Sequence, residues 1–285
     1  MIALQVLVSG LGLSGYYALV ALGFSLIFAT VKVFHVAHGT VFLAGGYLFF
    51  FLHRGLGVNL LVAALAGVAV AAALGLLIDK LVYLPVLRRG GGLFSVFIAS
   101  LGVSLVFEAG YNLLSRNVLQ VARTEPLTIL TFGAVAIRVL DLFMAGLVAV
   151  VFGLAYLWLF RSTAGLEIRA LTDNPALAGV VGVNVKRVRN TVFLVASALA
   201  GLAGVITAYD TGIVPDTGLR VLFIAVVAVI LGGVQNLMLG TLVGSLCLGL
   251  LTAFAGLLFP PWVSVAVFLA LILLIVVRPK GLFAT

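Results

Sequence analysis

Residues 2–30 read IALQVLVSGLGLSGYYALVALGFSLIFAT, without one formal charge. At about 1.5 Å per residue, a helix of that length outspans the roughly 30 Å of hydrocarbon in a bilayer. A membrane-barrel strand would alternate apolar and polar residues over about ten positions. This run does not alternate, so it reads as a helix. The remaining chain repeats the pattern. Of its 285 residues 64% are apolar and 8% charged, against roughly 25% charged in soluble domains. Apolar segments fall at about 6–30, 37–52, 58–84, 93–115, 140–160, 190–209, 219–233, 238–258 and 262–277. The expected fold is an all-α polytopic membrane protein of eight or nine passes, a single transmembrane domain over residues 1–285. The segment 219–233 falls short of the roughly twenty residues a pass requires and ends at Gly232-Gly233-Val234-Gln235-Asn236. It reads as a half-helix or re-entrant segment, which a membrane tolerates where protein or water satisfies the backbone. The start MIALQVLVSG lacks the basic region of a cleavable signal and is taken as part of the first membrane helix. Gly240 and Gly244 have the spacing of close helix packing.

One long polar island interrupts this pattern. Residues 161–190 read RSTAGLEIRALTDNPALAGVVGVNVKRVRN and carry Arg161, Glu167, Arg169, Asp173, Lys186, Arg187 and Arg189. Each charge would cost about 3 kcal/mol at the bilayer centre, so the island lies outside the hydrocarbon. Within it, Asp173 or Asn174 can cap a helix that Pro175 opens and Gly182 stops. The result is a short helix over 175–181. Two roles suit it: a rigid knob gripped by another protein, or an interfacial helix lying on anionic headgroups beside its basic flank.

If the island is cytoplasmic, alternation of passes puts about eleven Lys and Arg inside and about five (Arg54, Arg116, Arg123, Arg138, Arg220) outside. Asp210 and Asp216 then also lie outside. The N-terminus is expected outside and the C-terminus in the cytoplasm, with residues 115–140 as the longest external loop, a docking surface for an extracytoplasmic partner or a plain connection. The net charge of +8 is spread over helix ends and forms no stripe of the kind that binds nucleic acid.

Chemistry-bearing patterns are sparse. The lone Cys247 excludes an internal disulfide. His35 and His38 share a helix face, yet two histidines cannot close a zinc site, so no metal or cofactor is expected. His38 and Gly39 suit a bend between the first two helices. Glu108 is the carboxylate deepest in an apolar run, with Asn112 on the same face. An acid there either walls a permeation route or pairs with a neighbouring helix, through Arg116 or Arg220. No G-x-x-x-x-G-K-[ST], H-E-x-x-H or G-x-S-x-G pattern occurs. The chain has no catalytic site of a recognised kind and no ATP-binding loop, and takes its energy from a partner or from an ion gradient.

The island pattern Gly165, Arg169, Ala170, Asn174, Ala178, Gly182 resembles the coupling loop of ABC-importer permeases of the branched-chain amino-acid type. GYYALVALGFSLIFATVKVFHVAHGTVFLAGGY at 15–47, with its Ala37-His38-Gly39, is similar to that family's first two helices. AVVAVILGGVQNLMLGTLVGSLCLGLL at 225–251 and the ending RPKGLFAT resemble its Gly-Gly turn and its close. The resemblance covers nearly the whole chain and suits the LivH-like member of the two-permease pair. It implies a permease subunit, itself no enzyme, in a bacterial or archaeal cytoplasmic membrane. It implies as partners a second homologous permease, two cytoplasmic ABC ATPases and an extracytoplasmic solute-binding protein. Gly165, Arg169, Ala170, Asn174, Pro175, Ala178 and Gly182 would then couple to the ATPases. His38, Gly39, Glu108, Asn112 and Gln235 are the expected wall of the translocation path. Two departures, His35 where asparagine is typical and the bulkier Gln235-Asn236 turn, leave urea or a short amide open as ligand. A self-sufficient transporter using Glu108 as an ion relay is the reading from another class.

Overall fold

The computed structural model describes residues 2–116, 118–126, 128–132, 135–233 and 236–277. Each apolar segment read from the sequence forms a helix. In chain order these are α1 (Ile2–Val31), α2 (His38–Phe50), α3 (Leu60–Ile78), the short α4 (Leu84–Arg88), α5 (Leu93–Ser115), α6 (Val139–Arg161), α7 (Thr163–Asp173), α8 (Pro175–Val180), α9 (Val185–Asp210), α10 (Thr217–Gly232), α11 (Leu239–Leu258) and α12 (Val263–Val277). Among the described residues, six helical stretches are long and apolar enough to cross a membrane: Leu4–Val31, Leu60–Arg88, Leu93–Ser115, Val139–Arg161, Val185–Asp210 and Leu239–Leu258. The protein is an all-α polytopic membrane protein. A two-stranded hairpin, β1 (Ile129–Phe132) with β2 (Val135–Arg138), interrupts the loop that the sequence left unstructured. π-Helical turns, Phe51–Gly55 and Asp79–Tyr83, extend α2 and α3.

The contacts of the chain group into two compact units. The first comprises the described residues of Met1–Ser25, Thr124–Tyr156 and Ile224–Thr285. Here Gln5 at the start of α1 clamps the hairpin: its Nε2 donates to Ala136 O at 3.0 Å and its Oε1 accepts from Ala136 N at 2.9 Å. Gly244 lies so close to the Ala228 carbonyl, and Gly240 to those of Gly232 and Gly233, that a Cβ at either position would collide with backbone. The spacing of Gly240 and Gly244 thus serves packing of α11 against α10 within the chain.

The second unit comprises Leu26–Arg123 and Leu157–Phe223. Its centre is α2, α3 and α9, whose backbones meet at Gly45 against Gly201, Gly46 against Gly204 and Gly67 against Gly45. α2 and α9 run parallel and in step. His35 touches Phe193, ring centroids 5.5 Å apart, Val41 and Ser197 both flank Gly75, and Gly45 meets Gly201. α5 packs on this core with an inverted face. Ser100, Ser104 and Ser115 are buried while Leu105, Val106, Leu113 and Leu114 are exposed. The hydroxyls are used in turn. Ser100 Oγ accepts from Ala37 N at 2.9 Å, Thr40 donates to Ser104 at 3.4 Å, and the Tyr47 hydroxyl donates to Ser115 at 3.5 Å.

After α9 the chain turns back along α2. Ile213 bridges Gln120 and its side chain lies against Gly46. Gly218, in the first turn of α10, packs backbone to backbone on Gly39. Since Gly39 falls between the levels of Phe193 and Gly201, α10 starts about halfway along α9. Its 16 residues cover roughly 24 Å, so the half-helix reading of this segment fits.

Candidate functional site

The island folds as two helices. Ser162 caps α7 by accepting from Gly165 N at 3.0 Å, and Asn174 caps α8 by accepting from Leu177 N at 3.0 Å, with Pro175 in the first turn. α8 stops at Val180, one residue short of the sequence estimate, and Gly182 takes φ +92 to turn the chain. Asn184, which sequence reasoning missed, caps α9 through Arg187 N at 3.0 Å.

The coupling residues expected from sequence divide into two groups. Asn174, Pro175 and Gly182 are exposed and shape the ends of α8. Gly165 is buried, its Cα hard against the Trp158 and Leu159 carbonyls at the end of α6. The Arg169 guanidinium lies 4.9 Å from the Phe160 ring centre, and Ala170 is half-buried. Ala178 is only 2% exposed, so it seats α8 rather than offering a surface. Leu177, Val180 (83% exposed) and Val181 point outward instead. Large apolar side chains are thus left exposed close to Asp173 and Asn174.

A buried polar chain starts where the island meets α9. Arg189 Nε donates to both oxygens of Asp79 at 2.9 Å and its guanidinium lies over Phe193. Asp79 opens the π-helical turn that Tyr83 closes. The Tyr83 hydroxyl bonds Ser100 at 2.5 Å and His35 Nδ1 at 2.7 Å. His35, His38, Asp79, Tyr83 and Ser100 are all fully buried. From sequence, the His38 imidazole is expected to satisfy the loosened backbone between α1 and α2. Ser100 takes up Ala37 N in that bend, and His35 is wired into the chain through Tyr83. Gly39 has the tight backbone contact a bend requires.

Glu108 and Asn112 sit half-buried at the margin of the α5 face, with Asn112 Nδ2 donating to the Glu108 carbonyl at 3.1 Å. Among the described residues no cation is in ion-pair range of Glu108; Arg220 pairs with Asp216 at 2.8 Å. Gln235 lies outside the described residues. Beside α5, a cavity of about 610 Å³ opens among Tyr47, Leu74, Phe107, Tyr111, Leu114 and Gln120. The Tyr47 and Tyr111 rings stack there at 4.9 Å. Its apolar walls and few hydroxyls suit a small amphipathic guest.

The external arginines expected from alternation are mostly neutralised: Arg123 by buried Asp210 at 3.7 Å, Arg138 by Asp141 at 2.6 Å. Arg220 and Asp216 differ in position. Placed outside by sequence, they stand at the level of the Gly39–Gly218 contact, halfway along α9, with side chains 67% and 55% exposed. Each charge facing hydrocarbon there would cost about 3 kcal/mol, while an i,i+4 pair returns only about 0.3–0.5 kcal/mol.

Comparison with known proteins agrees with this architecture. The family model described as branched-chain amino acid transport system / permease component matches residues 6–276. The high-affinity branched-chain amino acid transport system permease protein BraD of Pseudomonas aeruginosa is 29% identical over 98% of this chain and 95% of its own. The corresponding permease protein LivH of Escherichia coli is 28% identical over 98% and 94%. The solved structure of PsaBC from Streptococcus pneumoniae in complex with Fab aligns at TM-score 0.51 and 13% identity, over 97% of this chain and 90% of that one, a likeness of fold.

Proposed function

The chain belongs to the branched-chain amino acid transport permease family, and from that premise we propose that it is one membrane subunit of an ATP-driven importer for branched-chain or related amino acids. Its place is a bacterial or archaeal cytoplasmic membrane, N-terminus outside and C-terminus inside. Solute arrives on an extracytoplasmic binding protein and crosses between this subunit and a second, homologous permease. The observation that carries this reading is α8: a capped helix seated by Ala178, with Leu177, Val180 and Val181 turned outward. Two cytoplasmic ATPases grip that surface, and their closure on nucleotide moves the helix as a rigid body. Gly165, Arg169 and Ala170 hold α7, and so α8, against the end of α6; Asn174, Pro175 and Gly182 fix its ends. The polar chain from Arg189 through Asp79 and Tyr83 to His35 leads from the island's end to the α1–α2 bend. His38, Gly39, Glu108, Asn112 and Gln235 border the solute path.

The test is purification of the tagged chain from its host in mild detergent, with identification of what accompanies it and an assay of ATP hydrolysis. Recovery of two P-loop ATPases and a second permease, with hydrolysis stimulated by the liganded binding protein, is expected. The chain recovered alone and transporting in liposomes on an ion gradient would overturn the reading.

A further inference from the structure

Resting on the importer reading, we infer that Asp216 and Arg220 bind the zwitterionic head of an α-amino acid in transit, Asp216 accepting from its ammonium and Arg220 donating to its carboxylate. The position of the pair is the first argument. It stands on the first turn of α10, which the Gly39–Gly218 contact fixes halfway along α9. Ionisable side chains at that depth face a bundle interior or a water-filled cavity, and mark solute pathways.

Its exposure is the second. Asp210 and Asp141, in the pairs with Arg123 and Arg138, are largely covered, at 1% and 11% side-chain exposure, whereas Asp216 and Arg220 are open at 55% and 67%. Packing within the unit does not explain a pair left that open. Its chemistry is the third argument. One side chain of each sign, four residues apart and in contact at 2.8 Å, matches a ligand that carries both signs and no net charge. The guanidinium fork accepts a carboxylate in two parallel hydrogen bonds. When solute leaves, the two side chains close on each other, so neither charge is stranded and the site releases as readily as it binds.

The experiment uses the complete importer in proteoliposomes with L-leucine as the probe. Asp216→Asn and Arg220→Gln are each expected to lower leucine uptake at least tenfold while ATP hydrolysis stimulated by the binding protein stays within twofold. The exchanged variant, Asp216→Arg with Arg220→Asp, keeps an i,i+4 pair and is expected not to restore uptake, because the polarity met by the solute is reversed. In a Cys247→Ser background, Phe223→Cys, one turn beyond Arg220 and 53% exposed with the pair left intact, should react with a charged, water-soluble methanethiosulfonate, and leucine should slow that reaction. Full uptake in both neutral variants overturns the proposal. So does recovery by the exchange, which would mark the pair as a tie within α10, and so does an introduced thiol in the Phe223→Cys variant that is unreactive or indifferent to leucine. A parent complex without stimulated ATPase sinks the importer reading itself, and the thiol protection then still decides for or against the site.

Discussion

α5 and α8 expose apolar side chains for opposite reasons. On α5 the serines are turned in and Leu105, Val106, Leu113 and Leu114 out. On α8 a small residue, Ala178, is turned in, and Leu177 and Val180 are out. The first pattern follows from the solvent, since hydrocarbon covers leucine at no cost and hydroxyls must find partners inside. The second lies in a segment whose charges keep it out of hydrocarbon, where an exposed leucine suits a protein groove or a headgroup layer. Apolar exposure identifies a site only after the surrounding medium is known.

Substitutions separate the two regions. The largest effect belongs to the inward polar side. Asp79→Ala strands the Arg189 cation, which is only 12% exposed, and should cost about 3–5 kcal/mol, read as a collapse of the thermal unfolding temperature in detergent. Unfolding unchanged by more than a degree would show that the pair is solvated and the inward face not a sealed one. Next comes the outward apolar face of α8. Leu177→Asp should cut stimulated ATPase and uptake at least tenfold with unfolding unaltered, whereas Leu113→Ala on α5 should leave both alone. Equal sensitivity at the two positions would erase the distinction between lipid and protein cover. The smallest effect is Tyr83→Phe, which removes one hydroxyl from between His35 and Ser100 and should cost about 1 kcal/mol. A loss of uptake without a loss of stability in that variant would promote the chain from packing to coupling.

The membrane helices were legible because uninterrupted apolar runs permit few other structures, and α8 because Asn174-Pro175 followed by Gly182 punctuates a helix locally. α7 was missed although Gly165, Ile168 and Leu171, its buried residues, recur at helical spacing; the charges between them read as loop. The hairpin was missed because two four-residue strands carry little signal beside long helices. Of the site, the Asn174 cap was visible, and the Ser162 and Asn184 caps and the pairings were not. Asp79 and Arg189 stand 110 positions apart, and nothing local in either segment names the other. Alternation of charge sorts loops by side of the membrane and is silent on level, so it could not show that the chain turns back beside α2 before α10 begins.

The glycine seam joining α2, α3 and α9 bears on the genetics of this protein. Where Gly45 meets Gly201 and Gly46 meets Gly204, even a methyl group has to displace main chain. In a growth-based mutational scan these positions will score as severely as residues that touch solute, and only a parallel measure of protein abundance will sort the alleles that fail to assemble from those that assemble and do not transport.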